Sequence, residues 1–221
     1  MSRPFLLHTV AFASMAYGWF GLGALQVSEW IETQKGGHLQ FLTIQGLAFA
    51  AITMTLSIVK DLIPGLPLVN KLKRITFLIA LPLAVVISTI YWTLLLLFPH
   101  HILREEGPTS EPSSSSAASQ LARIPISIDL ALHAVPALSL LIDFFLFEKK
   151  YKKSTAIYGA LTMAAAYAVG YGLWVEECAK ANGIFPYPFL TVNPLNVRIG
   201  IYAGAAMLAF VSFQTMNNLH S

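Results

Sequence analysis

Asp129 and His133 stand four residues apart inside an otherwise apolar run, Ile124–Phe147. On a helix that spacing sets a carboxylate beside an imidazole, where it can fix the ring's tautomer and stabilise its charged form. At 100° per residue, His133, Pro136 and Asp143 all fall within about 40° of Asp129, on one stripe. An aspartate at the bilayer centre costs about 2.5–3.5 kcal/mol on insertion scales. Such a stripe must therefore face protein, and it marks a functional candidate. The bland alternative is a satisfied polar pair that helps helices associate. Thr43 opens a second apolar run, where a threonine ordinarily bonds a carbonyl one turn earlier. However, Thr43 lies eight residues after Lys35, and His133 ten after Arg123. If those segments are helical, both groups sit about 12–15 Å beyond the last basic residue. A hydroxyl and an imidazole at one depth meet the minimum requirement for a nucleophile and its base.

The elements that must position these groups follow from composition. Of 221 residues, 56% are hydrophobic and 11% charged, against about 25% charged in soluble domains. A disordered chain is excluded and a water-soluble globule disfavoured. Six runs approach the roughly 20 apolar residues that cross a bilayer: about Phe5–Ser28, Leu39–Val59, Ile75–Phe98, Ile124–Phe147, Ser154–Val175 and Ile199–Met216. Repeated ten-residue alternation is absent, which argues against a β-barrel. The expected fold is an all-α integral membrane protein, a single six-helix transmembrane domain over 1–221. The first run, preceded by Arg3, reads as a retained signal anchor. Nine of the 14 Lys and Arg lie at the N-terminus and in the second and fourth loops, placing both termini in the cytosol. The net charge of +3 arises from residues that flank the apolar runs, so it reads as topology rather than nucleic-acid binding. Residues 104–123, with Pro108, Pro112 and Ser113–Ser116, read as a flexible lumenal loop. A lone cysteine, Cys178, permits neither an intrachain disulfide nor a multi-cysteine zinc site.

The order Phe41-Leu42-Thr43, then Asp129-Leu130-Ala131-Leu132-His133 and Pro136, resembles the androgen-induced protein and androgen-dependent TFPI-regulating protein family. Trp174, Asn182-Gly183, Tyr187-Pro188-Phe189-Leu190, Arg198 and Asn217-Asn218 extend the similarity across nearly the whole chain. The resemblance implies six spans and a cofactor-free membrane hydrolase that cleaves fatty acid esters of hydroxy fatty acids. It implies Thr43 as nucleophile and His133 as the histidine, and an endoplasmic reticulum location. The bilayer would supply the lipid substrate.

Asp129 as an orienting acid comes from helical spacing, not from the resemblance. Gln45, backbone amides near Gly46, Trp174 and Tyr187 are candidate oxyanion or pocket groups. His100-His101 is a poor metal site because adjacent helical residues point apart, so no metal is expected. The competing class is a non-enzymatic lipid-binding scaffold or small transporter that uses the Asp129–His133 stripe. The oligomeric state is not legible.

Overall fold

The computed structural model describes residues 3–103 and 123–220; the expected loop at 104–123 lies outside them except for Arg123. The described residues form helices and turns without a strand. The helices are α1 (Arg3–Gly23), α2 (Gln26–Glu32), α3 (Leu42–Leu62), α4 (Pro67–Leu97), α5 (Ile126–His133), α6 (Val135–Phe147), α7 (Ala160–Asn182), α8 (Pro188–Thr191) and α9 (Leu195–Leu219). Taken together, α5 and α6 make one span, and a π-helical turn at Thr155–Gly159 lengthens α7. Six segments are then long and apolar enough to cross a membrane, as the sequence predicts. The chain is an all-α membrane protein.

The fourth span breaks at Ala134. Pro136, at the start of α6, has no N–H to continue the hydrogen-bond ladder, and its ring crowds the preceding turn. The break ends α5 directly after His133. Its partners come from α1, which packs on α3, α5 and α6, and from α4, which packs on α3, α6, α7 and α9. Gly46 lies at the contact of α3 with α4, where an added Cβ would run into the Ile87 side chain.

One expectation changes. Lys73, counted among the basic loop residues, lies inside α4 and is 1% exposed. Its Nζ reaches both Asp143 oxygens at 3.1 and 2.9 Å and Glu148 at 2.8 Å. Asp143 also faces His8 at 3.2 Å, and His8 Nδ1 bonds Asp61 at 2.6 Å. A buried ammonium survives in such a place only because carboxylates surround it. This cluster ties α1, α3, α4 and α6 together at the end of the bundle opposite Thr43.

Candidate active site

Thr43 is the second residue of α3, and the segment before it is not the continuous helix assumed in the depth estimate. Gly36 and Gly37 take positive φ angles of 87° and 46°, and Gly37–Gln40 form a 3-10 turn. At Gly36 a side chain would also strike Cys178, at 2.7 Å from its sulfur. α7 holds this turn from three directions. Tyr171 Oη donates to the Gln40 carbonyl at 3.1 Å, and Trp174 Nε1 donates to the Leu39 carbonyl at 3.0 Å. Asn182 pairs with the Lys35 backbone at 2.8 and 3.1 Å. The first turn of α3 is thereby fixed in height and rotation.

There Thr43 Oγ1 lies 3.4 Å from His133 Nε2. On the far side of the ring, Nδ1 is 2.7 Å from Asp129 Oδ1 and 3.1 Å from the Asp129 carbonyl oxygen. Both of those atoms only accept, so Nδ1 carries the proton. In a neutral ring Nε2 is then left with a lone pair directed at the Thr43 hydroxyl. Tyr91 covers the imidazole face, with ring centroids 3.4 Å apart and planes 2° from parallel. Its hydroxyl interacts with Asp129. Asp129 and His133 are 5% and 7% exposed, so these interactions are little screened by water.

Helix α3 also aims its first amides at the site. Phe41, the cap residue, offers no side-chain bond, and the Phe41 carbonyl is taken up by the amides of Ile44 and Gln45. The Thr43 N–H finds only a long contact, 3.5 Å, to Tyr187 Oη. Burial pushes the Tyr187 phenol above its ordinary 10, against the bonds to Thr43 that lower it. A phenol is protonated at neutral pH even without that shift, so the hydroxyl can donate. Thr43, Tyr91 and Tyr187 line a cavity of about 130 Å³ whose other walls are apolar side chains of α4, α7, α8 and α9.

The sequence profile of FAR-17a/AIG1-like proteins matches residues 3–221. The chain belongs to that family. This bears out the resemblance read from the Phe41-Leu42-Thr43 and Asp129–His133 motifs. Two relatives are similar to this FAR-17a/AIG1-like protein. A UPF0641 membrane protein of Schizosaccharomyces pombe is 28% identical over 221 residues, spanning 99% of this chain and 90% of its own. A UPF0641 membrane protein of Saccharomyces cerevisiae is 28% identical over 170 residues, 72% of this chain and 67% of its own. No solved structure matches.

Among the residues singled out in this FAR-17a/AIG1-like chain, Thr43, His133, Asp129 and Tyr187 come together. The others do not. Gln45 is spent elsewhere: its Nε2 donates to the Leu39 carbonyl at 2.7 Å, and its Oε1 accepts from Tyr167 at 2.6 Å. Gly46 faces α4, and Trp174 holds the 3-10 turn rather than lining the cavity. Among the described residues, no three His, Cys, Asp or Glu side chains converge as metal ligands. Sequence reasoning missed Tyr91. No motif marks it, and its one signal is position, about 9 Å inside the end of α4 at 1.5 Å per residue.

Proposed function

We propose that this chain is an intramembrane lipid-ester hydrolase with Thr43 as nucleophile and His133 as base. The observation that carries the reading is the 3.4 Å approach of the Thr43 hydroxyl to an imidazole nitrogen whose ring partner is already committed to Asp129. A free threonine hydroxyl is a weak nucleophile, and an adjacent base activates it. Separations of this size shorten when substrate fills the site.

The reaction is two acyl transfers. As Thr43 Oγ1 bonds to the ester carbonyl carbon, its proton passes to His133 Nε2. Collapse of the tetrahedral oxyanion breaks the ester C–O bond, and the departing alkoxide takes the proton from Nε2. Water then repeats the sequence on the acyl-threonine, releasing the acid and restoring Thr43. The imidazolium formed in each half is stabilised by Asp129 and by the face of Tyr91. The oxyanion is stabilised by the Tyr187 hydroxyl and by amides in the first turn of α3, where the helix dipole adds to them.

Family membership supports fatty acid esters of hydroxy fatty acids as the substrate class and the endoplasmic reticulum as the membrane. The excess of Lys and Arg at the N-terminus and in the second and fourth loops supports cytosolic termini. The apolar cavity beside Thr43 supports a lipid ester, since its lining offers a hydrocarbon chain surroundings close to those of the bilayer. An activated fluorophosphonate should label Thr43 in purified protein. Thr43→Ala should lose the label, and Thr43→Ala and His133→Ala should each lose ester turnover at unchanged expression. Labelling that persists in Thr43→Ala would place the nucleophile elsewhere. A scaffold or transporter would bind ester lipids with no covalent adduct and no product.

A further inference from the structure

A second apolar hollow lies on the outer face of the bundle. It is a groove of about 470 Å³ between α7 and α9, open at the side and lined by Leu161, Val169, Leu173, Ile199 and Met207 among others. Ala164, Ala168, Tyr202 and Ala206 line both this groove and the cavity that holds Thr43. The partition between the two is therefore one side chain thick, and three of its four members carry nothing beyond Cβ. All four are half-buried, as residues shared by an inner and an outer surface must be.

Tyr202 is the one large group in the partition. Its ring packs against Gly172, where an added Cβ would stand 3.2 Å from Tyr202 Cδ2. Its hydroxyl donates to Glu176 Oε1 at 3.0 Å, and Arg198 grips the same carboxylate through two bonds of 2.7 Å. The ring is thus latched to α7 by its hydroxyl end. One turn of π-helix at Thr155–Gly159 begins the fifth span, and such turns, rare overall, are frequent at functional sites.

We propose that α7 and α9 form a lateral portal through which the acyl chain of a bilayer lipid passes to Thr43, with Ala164, Ala168, Ala206 and Tyr202 as its leaf. The occupant follows from position. The groove lies within two membrane-spanning segments, so the medium against it is hydrocarbon. Nearly all of its lining is apolar, and it adjoins the cavity containing the hydroxyl. A long unbranched acyl chain satisfies both hollows with no polar group to desolvate. This deepens the hydrolase reading and rests on it for the chemistry, but not for binding.

Two measurements test it in phosphatidylcholine nanodiscs. In the first, palmitate carrying a terminal diazirine is photolysed with the full-length protein, with and without tenfold excess palmitate. Competable adducts on residues 164–172 and 202–210 are expected; competable adducts only on other helices, or none, would overturn the portal. In the second, turnover of p-nitrophenyl palmitate is compared with that of the butyrate. Ala206→Trp should lower the palmitate-to-butyrate ratio at least tenfold, and Tyr202→Ala, which removes the latch, should raise it. A ratio unmoved in both variants would also overturn the portal, and a variant that fails to fold leaves the decision to the wild-type adducts. Failure of the hydrolase reading has a different signature: competable adducts in the groove with no turnover that depends on Thr43.

Discussion

The Tyr91 ring lies flat on the His133 imidazole, 3.4 Å between centroids and 2° from parallel. Neutral aromatic rings prefer offset or edge-on contact, whereas a cationic ring is drawn to the face of an electron-rich one. The arrangement suits the imidazolium that the proposed acyl transfer would form on His133. Tyr91→Leu should lower kcat about tenfold with little change in KM, the scale of a desolvated cation–π contact. Tyr91→Phe, which keeps the face, should recover most of the rate. Steady-state kinetics on a soluble short-chain ester would show both, and equal losses in the two variants would shift the role to the hydroxyl.

Asp129 fixes which nitrogen of His133 carries the proton. In Asp129→Asn the amide can donate to Nδ1 and turn a protonated Nε2 toward Thr43. Loss of the corresponding acid in serine triads costs roughly 10⁴-fold. Here the Asp129 carbonyl at 3.1 Å still accepts from Nδ1, so a smaller loss, roughly 100-fold in kcat, is expected. Thermal unfolding of the variant should match wild type within a few degrees. Wild-type turnover would remove Asp129 from the mechanism.

Tyr187 meets the Thr43 amide at 3.5 Å. Tyr187→Phe deletes one donor from the oxyanion site and leaves the ring that packs edge-on against Phe41. The expected loss is about 100-fold in kcat, with substrate affinity retained. A rise in KM at constant kcat would make Tyr187 a wall of the cavity and nothing more.

Lys73→Ala should destabilise the protein by about 3–5 kcal/mol, because it removes the buried cation against Asp143 and leaves Glu148 to the part-exposed Lys60 and Arg74. Lys73→Met combined with Asp143→Leu should recover much of that loss, since an apolar pair of similar volume is often neutral. Denaturation in detergent micelles gives both values and the coupling between the sites. Additive losses would mean that Lys73 and Asp143 do not depend on each other.

Glu148 follows the fourth span. Burial alone would raise its carboxyl, but Lys73 and Lys60 beside it prevail and hold it below its ordinary 4.5. A group depressed in the folded state adds stability that is complete above the unfolded value and is lost as pH falls through the folded one. Apparent Tm should therefore be flat with respect to this group above about pH 5 and fall below 4.5. Glu148→Gln should flatten the acid limb.

The six spans were legible because water-free hydrocarbon demands runs of about 20 apolar residues whatever the tertiary structure. The Asp129–His133 contact was legible for a similar reason, since an i,i+4 pair needs only its own helix. Other features depend on residues far apart in the chain. Tyr91 and His133 are 42 residues apart, and nothing local to either specifies the stack. Lys73 stands beside Lys71 and Arg74, so it reads as one more loop cation until α6 brings Asp143 against it. The depth of Thr43 follows from the sequence only if a helix runs from Lys35, and Gly36-Gly37 signal the break that the 3-10 turn makes. Gln45 and Trp174 were near the right place, yet hydrogen bonds to the Leu39 carbonyl occupy both.

The side chains of the ion cluster at the far end come from the first four spans and from Glu148 just after them, and Thr43, Tyr91, Asp129 and His133 also lie within those spans. A ribosome that has just passed Glu148 has already translated the proposed nucleophile, its proposed base and the ion cluster that ties their helices together. What emerges afterwards, α7 to α9, supplies the wall of the cavity that faces α4, and the Tyr187 phenol. Biogenesis thus divides the molecule into a half that holds the Thr43–His133 pair, made first, and a half that closes the cavity, made last, and a chain truncated after the fourth span would carry Thr43 with one wall of its cavity missing.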